Sequence, residues 1–304
     1  MIKAVQGFQP EMVFHLAAQP LVRHSYRDPA GTFETNVMGT ILLLDACRKT
    51  PSVRAVVNVT SDKCYENREW VWGYRECDPM GGFDPYSASK GCSELVTAAY
   101  RNSFFHPERY RNDHDLLLAS ARAGNVIGGG DWAEDRLIPD IMRAAGAGES
   151  SLIRNPNATR PWQHVLEPLA GYLLLGRRLL EGDAACAGPW NFGPPEDAVI
   201  TVGRVAEGMK RFWKGVRFTS ASEAAGQPHE ANLLKLDSSK ANALLGWRCV
   251  WDSETTLRRT VEWYRNFYES GRVGSRKDLS AYIRIFKTAH ERLAVNMEQA
   301  LTQK

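Results

Sequence analysis

A chain of 304 residues, 43% hydrophobic and 24% charged, can bury a large core, which excludes disorder as its default state. The net charge of +3 is spread without any block of like charge, so no nucleic-acid partner is expected and a small anionic substrate suits the chain better than a polyanion. The six cysteines are scattered without Cys-x-x-Cys spacing, and the longest apolar runs fall far short of the roughly 20 residues a membrane span needs. No metal site, disulfide framework or membrane segment is therefore expected, and the reading is a cytoplasmic protein with reduced thiols.

Strand-like apolar runs alternate with amphipathic helical stretches, the pattern of an α/β doubly wound parallel sheet. Residues 12–16 read as a buried strand. After Asp28-Pro29, a helix start signal, residues 32–49 place Phe33, Val37, Ile41 and Leu44 at helical spacing and stop before Pro51. Residues 53–59, rich in valine, form the next strand. Asp84 and Pro85 suit the N-cap and first position of a long helix over 85–104, and 116–121 is a strand leading into a glycine-rich turn over 124–130.

Beyond that turn the segments shorten, which suggests a second, smaller lobe. Helices are expected over 137–147, 202–213, 238–245 and 253–270, and a strand over 189–192. The domain reading is a partial dinucleotide-binding domain over 1–130, to which segments around 165–200 return, and a substrate lobe over 131–270. A helical tail over 272–304 carries Tyr282, Ile285, Ala289 and Leu293 at helical spacing but nothing that suggests chemistry.

Tyr86 and Lys90 stand four residues apart near the start of the 85–104 helix, hence on one face of it. A cation beside a phenol and the positive end of a helix both favour the phenolate, turning a tyrosine that titrates near ~10 into a usable base. By itself this spacing is more often a surface pair without a role. Its context is Val59-Thr60-Ser61-Asp62-Lys63 at the carboxyl end of a strand, where ligand crevices form in open parallel sheets, although such a cluster alone is more often turn chemistry.

Four segments in this order resemble the extended short-chain dehydrogenase/reductase superfamily: His15-Leu16-Ala17-Ala18-Gln19, Asn36-Val37-Met38-Gly39-Thr40, Thr60-Ser61-Asp62-Lys63-Cys64-Tyr65 and Tyr86-Ser87-Ala88-Ser89-Lys90. The segments Arg122 to Trp132, Arg136-Leu137-Ile138-Pro139-Asp140 and Arg160-Pro161-Trp162-Gln163-His164-Val165 narrow the resemblance to the CDP-glucose 4,6-dehydratase family, as does lysine at position 63, where dTDP-glucose relatives have glutamate.

The resemblance implies NAD as cofactor and a three-stage reaction on CDP-glucose: oxidation at C4, loss of water across C5 and C6, and return of hydride to C6. It implies Tyr86 as the base at the C4 hydroxyl, Lys90 as its partner and as a hold on the nicotinamide ribose, and Ser61 on the C4 oxygen. Ala17, Ala18, Gln19 and Asn36 join Tyr86 and Lys90 in the cofactor site. Asp62 and Lys63 flank the C5–C6 edge; burial would suit an acid carboxyl and a base amine, whereas an ion pair between them would oppose both shifts, so which is acid and which base stays open. Asn125, Arg136, Arg160 and His164 match diphosphate- and sugar-binding positions, arginine suiting a diphosphate through its fork, although any one arginine is more often a surface charge. Trp132 and Trp162 are equally suited to stacking on a ligand and to packing a lobe. His15 reads as a structural histidine.

The superfamily's Gly-x-x-Gly-x-x-Gly turn and the strand and helix around it find no match here, and residues 1–11 resemble the end of the helix before the fourth strand. At about 30 residues per βαβ unit, roughly twice that length is expected upstream, so the chain reads as truncated, binding NAD poorly by itself and exposing the 12–16 strand. Three alternatives follow: the dehydratase, another nucleotide-sugar epimerase or dehydratase, against which Lys63 argues, and a silent fragment. Relatives pair through two helices, so a homodimer through 32–49 and 85–104 is expected.

Overall fold

The computed structural model describes residues 1–195, 198–220 and 233–302, with the side chains of 199 and 290–302, and so of Leu293, outside that description. The chain begins α1 (Ile2–Phe8), β1 (Met12–His15), α2 (Val22–Arg27), α3 (Pro29–Phe33), a π-helical turn (Glu34–Met38), α4 (Gly39–Arg48), β2 (Ala55–Val59) and α5 (Pro85–Phe104). It continues through β3 (Leu117–Ala123), β4 (Asn125–Ile127), α6 (Leu137–Ala147), β5 (Ser151–Ile153), β6 (Thr159–His164), α7 (Leu166–Leu180) and β7 (Pro189–Phe192). The remainder is β8 (Val199–Thr201), α8 (Val202–Lys210), β9 (Phe218–Ser220), a π-helical turn (Ala241–Leu245), α9 (Ser253–Ser270) and α10 (Ser275–Thr302).

These elements form two compact units, one of Met1–Gly124, Ala170–Phe192 and Pro228–Lys240, the other of Asn125–Leu169, Gly193–Gln227 and Ala241–Lys304. In the first, four parallel strands are ordered β1-β2-β3-β7. β3 is buried along its whole length, and Ala55, Val56 and Val57 of β2 are fully buried, as expected of parallel strands covered on both faces. Leu43, Leu44 and Cys47 of α4 pack with Val56, Leu118 and Phe105 on one face. β1 pairs with β2 alone, which makes it the edge among the described residues and leaves Met12, Val13 and Phe14 half-buried.

The helix expected over 32–49 starts earlier, at Pro29, and contains a π-helical turn. Asp28 caps α3, its Oδ1 accepting from the Gly31 amide at 2.9 Å, and the π-helical turn separates α3 from α4. Asn36 lies in that turn and its side-chain amide bonds outside the helix, a tertiary demand that helical spacing does not register. Val53 closes a turn on Thr50, so β2 begins two residues later than the valine run suggests.

In the second unit β4 and β6 run parallel, β8 lies antiparallel to β6, and β5 pairs with β9. Part of the stretch expected as a glycine-rich turn is therefore strand: Asn125, Val126 and Ile127 find their partners in Trp162, Gln163 and His164. The glycines after it serve close packing, since a Cβ on Gly129 would run into the Trp263 ring. The core gathers Ile141 and Met142 of α6, Val205 and Met209 of α8 and Val261 and Tyr264 of α9. Trp162 is buried there with its indole N–H donating to the Ile200 carbonyl at 3.3 Å, and Trp132 packs on Phe267 with ring centroids 5.0 Å apart. The tail belongs to this unit, with Ala281 and Tyr282 of α10 buried.

Candidate active site

In the first unit the sequence-predicted residues gather where β2 ends. The Thr60 amide makes the last sheet contact, donating to the Ala121 carbonyl at 2.8 Å, and the chain then enters a short 3₁₀ turn over Asp62–Cys64. Ser61 caps it: its Oγ accepts from the Lys63 amide at 3.2 Å and donates to Asp62 Oδ1 at 3.1 Å. Ser61 and Asp62 are buried and Lys63 half-buried.

α5 brings Tyr86 and Lys90 to this turn. Asp84 caps the helix through both oxygens, Oδ1 accepting from the Ser87 amide at 3.0 Å and Oδ2 from the Ser87 hydroxyl at 2.6 Å. The Tyr86 amide, which no helical carbonyl can satisfy, donates to Ser25 Oγ at 3.1 Å. Gly91 sets how closely the helix lies: a Cβ there would sit 2.6 Å from the Gly81 carbonyl oxygen and 3.2 Å from that of Cys64. Tyr86 and Lys90 are 8% and 6% exposed, so the pair is not a surface pair. Burial lowers the Lys90 pKa to about 8, with Cys64 and Glu94 pulling the other way. Among the described residues no side chain hydrogen-bonds its ammonium, which leaves its donors for a ligand.

Gln19 and Asn36 meet beside this helix. The Asn36 amide nitrogen donates to the Gln19 carbonyl at 3.0 Å and to Ser89 Oγ at 2.8 Å, and its oxygen accepts from the Gln19 amide at 2.8 Å. Asn36 thus spends its amide on tying the loop after β1, which carries Ala17 and Ala18, to α5. His15 is buried against Thr40, Nε2 to Oγ1 3.3 Å, and burial, then the Lys90 charge, lower its pKa to about 4.

Two features of this site had no sequence signal. Tyr172 is buried, and burial, then the charges of nearby Asp62 and Tyr86, push its phenol up. Beneath the turn, Arg122 and Glu94 form an ion pair at 2.8 Å with both side chains 4% exposed.

In the second unit Asn125, Arg160 and His164 stand on the adjacent strands β4 and β6, Asn125 in register with Trp162. Arg160 is buried, and its Nη1 donates to the Thr159 carbonyl at 2.8 Å. His164 is 3% exposed, edge-on to Trp251 at 4.7 Å, and burial followed by the Arg259 charge lowers its pKa to about 4. Its Nδ1 accepts from the Leu166 amide at 3.3 Å, which places the ring hydrogen on Nε2. Arg136 stands apart from these strands, half-exposed at the start of α6 and paired with Asp131 at 2.9 Å.

A parallel α/β sheet with a buried Tyr-x-x-x-Lys pair beside a Ser-Asp-Lys turn defines the class: an extended short-chain dehydrogenase/reductase of the epimerase and dehydratase type. A family model described as GDP-mannose 4,6 dehydratase matches residues 1–260, and the chain belongs to that family. It is 52% identical over 282 residues, 92% of this chain and 78% of the relative, to the CDP-glucose 4,6-dehydratase of Salmonella typhimurium. Among solved structures, UDP-glucose 4-epimerase of Thermotoga maritima superposes with a TM-score of 0.73 at 23% identity, covering 88% of this chain and 82% of that one. A dTDP-glucose 4,6-dehydratase from Streptomyces venezuelae with NAD bound gives 0.68 at 24% identity over 87% of this chain and 75% of that one.

Proposed function

We propose that the protein converts CDP-glucose to CDP-4-keto-6-deoxyglucose. The observation that carries this reading is the Ser61-Asp62-Lys63 turn held by the close approach at Gly91 against the helix bearing Tyr86 and Lys90. The 52% identity to a CDP-glucose 4,6-dehydratase supports the choice of nucleotide.

The donor set fits the nicotinamide end of NAD. A buried ammonium with no side-chain hydrogen bond among the described residues suits ribose hydroxyls, and the loop carrying Ala17, Ala18 and Gln19 lies at the carboxyl end of β1, beside which ligands bind in such sheets. NAD, when bound, supplies the hydride acceptor for C4 and the donor for C6. The chain's own residues move the protons. Tyr86, as the phenolate that the Lys90 charge favours, takes the proton of the C4 hydroxyl, and the Ser61 hydroxyl turns its hydrogen from Asp62 Oδ1 to the same C4 oxygen. A ketone at C4 acidifies the C5 proton, and Asp62 and Lys63 divide its removal and the protonation of the departing C6 hydroxyl; C5 regains a proton from the same pair when C6 is reduced. Asn125, Arg136, Arg160 and His164 hold the diphosphate and sugar.

The exposed apolar side chains of Met38, Leu42 and Leu95 on the helical segments around α4 and α5 support a homodimer through these helices, and the free thiols suit the cytoplasm. Incubation of the purified protein with CDP-glucose and NAD tests the main reading. Loss of one water from the sugar nucleotide, seen by mass spectrometry, is expected; a product of unchanged mass with inverted configuration makes it an epimerase, and no product refutes it.

A further inference from the structure

We infer that Glu94 and Arg122 are positioning residues whose buried ion pair clamps both ends of the turn carrying Ser61, Asp62 and Lys63 to the helix carrying Tyr86 and Lys90. The inference rests on the reaction proposed above and assigns to this pair the register between the two halves of the site.

Glu94 lies four residues after Lys90, on the same face of α5. Its Oε1 accepts a short hydrogen bond from the Thr60 hydroxyl, immediately before Ser61. Its Oε2 accepts from Ser120 Oγ at 2.7 Å and from Arg122 Nη2 at 2.8 Å. The other arm of the guanidinium reaches the far end of the turn, Nη1 donating to the Tyr65 hydroxyl at 2.6 Å and to the Glu76 carbonyl at 3.3 Å, with the guanidinium 4.9 Å above the Tyr65 ring. The Tyr65 hydroxyl in turn donates to Asn191 Oδ1 at 2.7 Å on β7. Thr60 and Tyr65 bracket the four residues of the turn, and each is bonded to one member of the same pair.

Buried ion pairs are weak contributors to net stability once their desolvation is counted. An apolar pair of equal volume would fill the site at less desolvation cost, so buried charges are better accounted for by the geometry they impose. A planar fork with one arm on Glu94 and one on Tyr65 fixes a distance that a packed aliphatic contact leaves soft. The titratable groups in Glu94's surroundings are Arg122, Lys90, Arg101 and the Cys64 thiol, and the carboxylate bears three donated hydrogen bonds. Burial pushes its pKa up, but the Arg122 charge and these bonds outweigh burial and keep it ionised.

The test uses the full chain with E94Q, E94D, R122M and R122K, and the neutral variants T60V, which cuts the Thr60 bond to Glu94, and Y65F, which cuts the bonds of the Tyr65 hydroxyl to Arg122 and Asn191; both leave the ion pair in place. Steady-state constants with CDP-glucose and NAD are read beside thermal melting and amide hydrogen exchange by mass spectrometry. Positioning predicts that E94Q, R122M and R122K lower kcat at least tenfold with KM within threefold. Amides over 60–65 should exchange at least tenfold faster while those of β1 do not change. E94D, which keeps the charge, should recover part of kcat; R122K, which keeps the charge but not the fork, should not. T60V and Y65F should move the same readouts less, and they decide the matter if the charge variants do not fold. Wild-type kcat in a folded E94Q or R122M, a loss confined to KM, or unchanged exchange over 60–65 overturns the inference. If the wild type does not act on CDP-glucose, the proposed reaction fails, and the exchange measurement still decides the clamp.

Discussion

The burial of Lys90 bears on the proposed activity and on stability at once. Its pKa falls from 10.5 to about 8, so its positive charge is present below about pH 8 and lost above it. Turnover is expected to decline as pH rises through about 8, and Y86F or K90M to lose on the order of 10²–10⁴-fold in kcat, read from steady-state rates across pH. Stability moves the other way. Between pH 8 and 10.5 the unfolded chain binds more protons at this site than the folded one, so the Lys90 contribution rises with pH across that window, and a melting series in wild type and K90M separates the two effects. Gly91 makes a second demand: G91A places a Cβ against the Gly81 carbonyl and should lower kcat by displacing α5 from the Ser61 turn, with retention of full activity refuting that reading. Tyr86 and Lys90 were legible because a helix brings residues four apart together by local geometry alone. Glu94, Arg122, Gly91 and Tyr172 were not, because their meaning lies in partners far along the chain.

At the level of elements, the cap at Asp84 and the span of α5 were readable because capping chemistry is local. The π-helical turn at Glu34–Met38 was hidden, since the bonds of Asn36 to Gln19 and Ser89 that accompany it are tertiary. α10 shows the same divide: its periodicity was visible, its chemistry was not. Glu167, fully buried, accepts from the Trp251 amide at 2.9 Å and from the Tyr282 hydroxyl of α10 at 2.8 Å, and burial raises its pKa from 4.5 to about 7. A raised carboxyl pKa contributes stability that is present below about pH 4.5 and lost as pH rises through about 7. At about 1.4 kcal/mol per pH unit this is of order 3 kcal/mol. His164 acts oppositely, losing stability as pH falls from 6.5 toward about 4, so the net wild-type slope is shallow over the shared range. E167Q should remove only the first contribution, and the melting temperature relative to wild type should therefore be lower at pH 5 than at pH 7.5. A constant difference between the two pH values would count against this account.

Among the described residues each unit has a hydrophobic core of its own, and each can be tested by itself. Leu118 in the first unit and Met142 in the second are both fully buried, so L118A and M142A should each cost about 2–5 kcal/mol, read from denaturant midpoints. The alternation of strand and helix from β1 to β3, the Tyr86/Lys90 pair, the cap at Asp84 and the Ser61-Asp62-Lys63 segment were determined by the sequence alone, because periodicity, capping and i,i+4 proximity are properties of a few consecutive residues. Only the tertiary structure decided that Gly91 lets α5 approach the turn, that Asn36 serves as a clamp, that α10 is anchored on Glu167, and that Glu94 and Arg122 join beneath the site. Each of these depends on residues tens of positions apart meeting in a dry interior, where one close contact or one charge pair outweighs local preference.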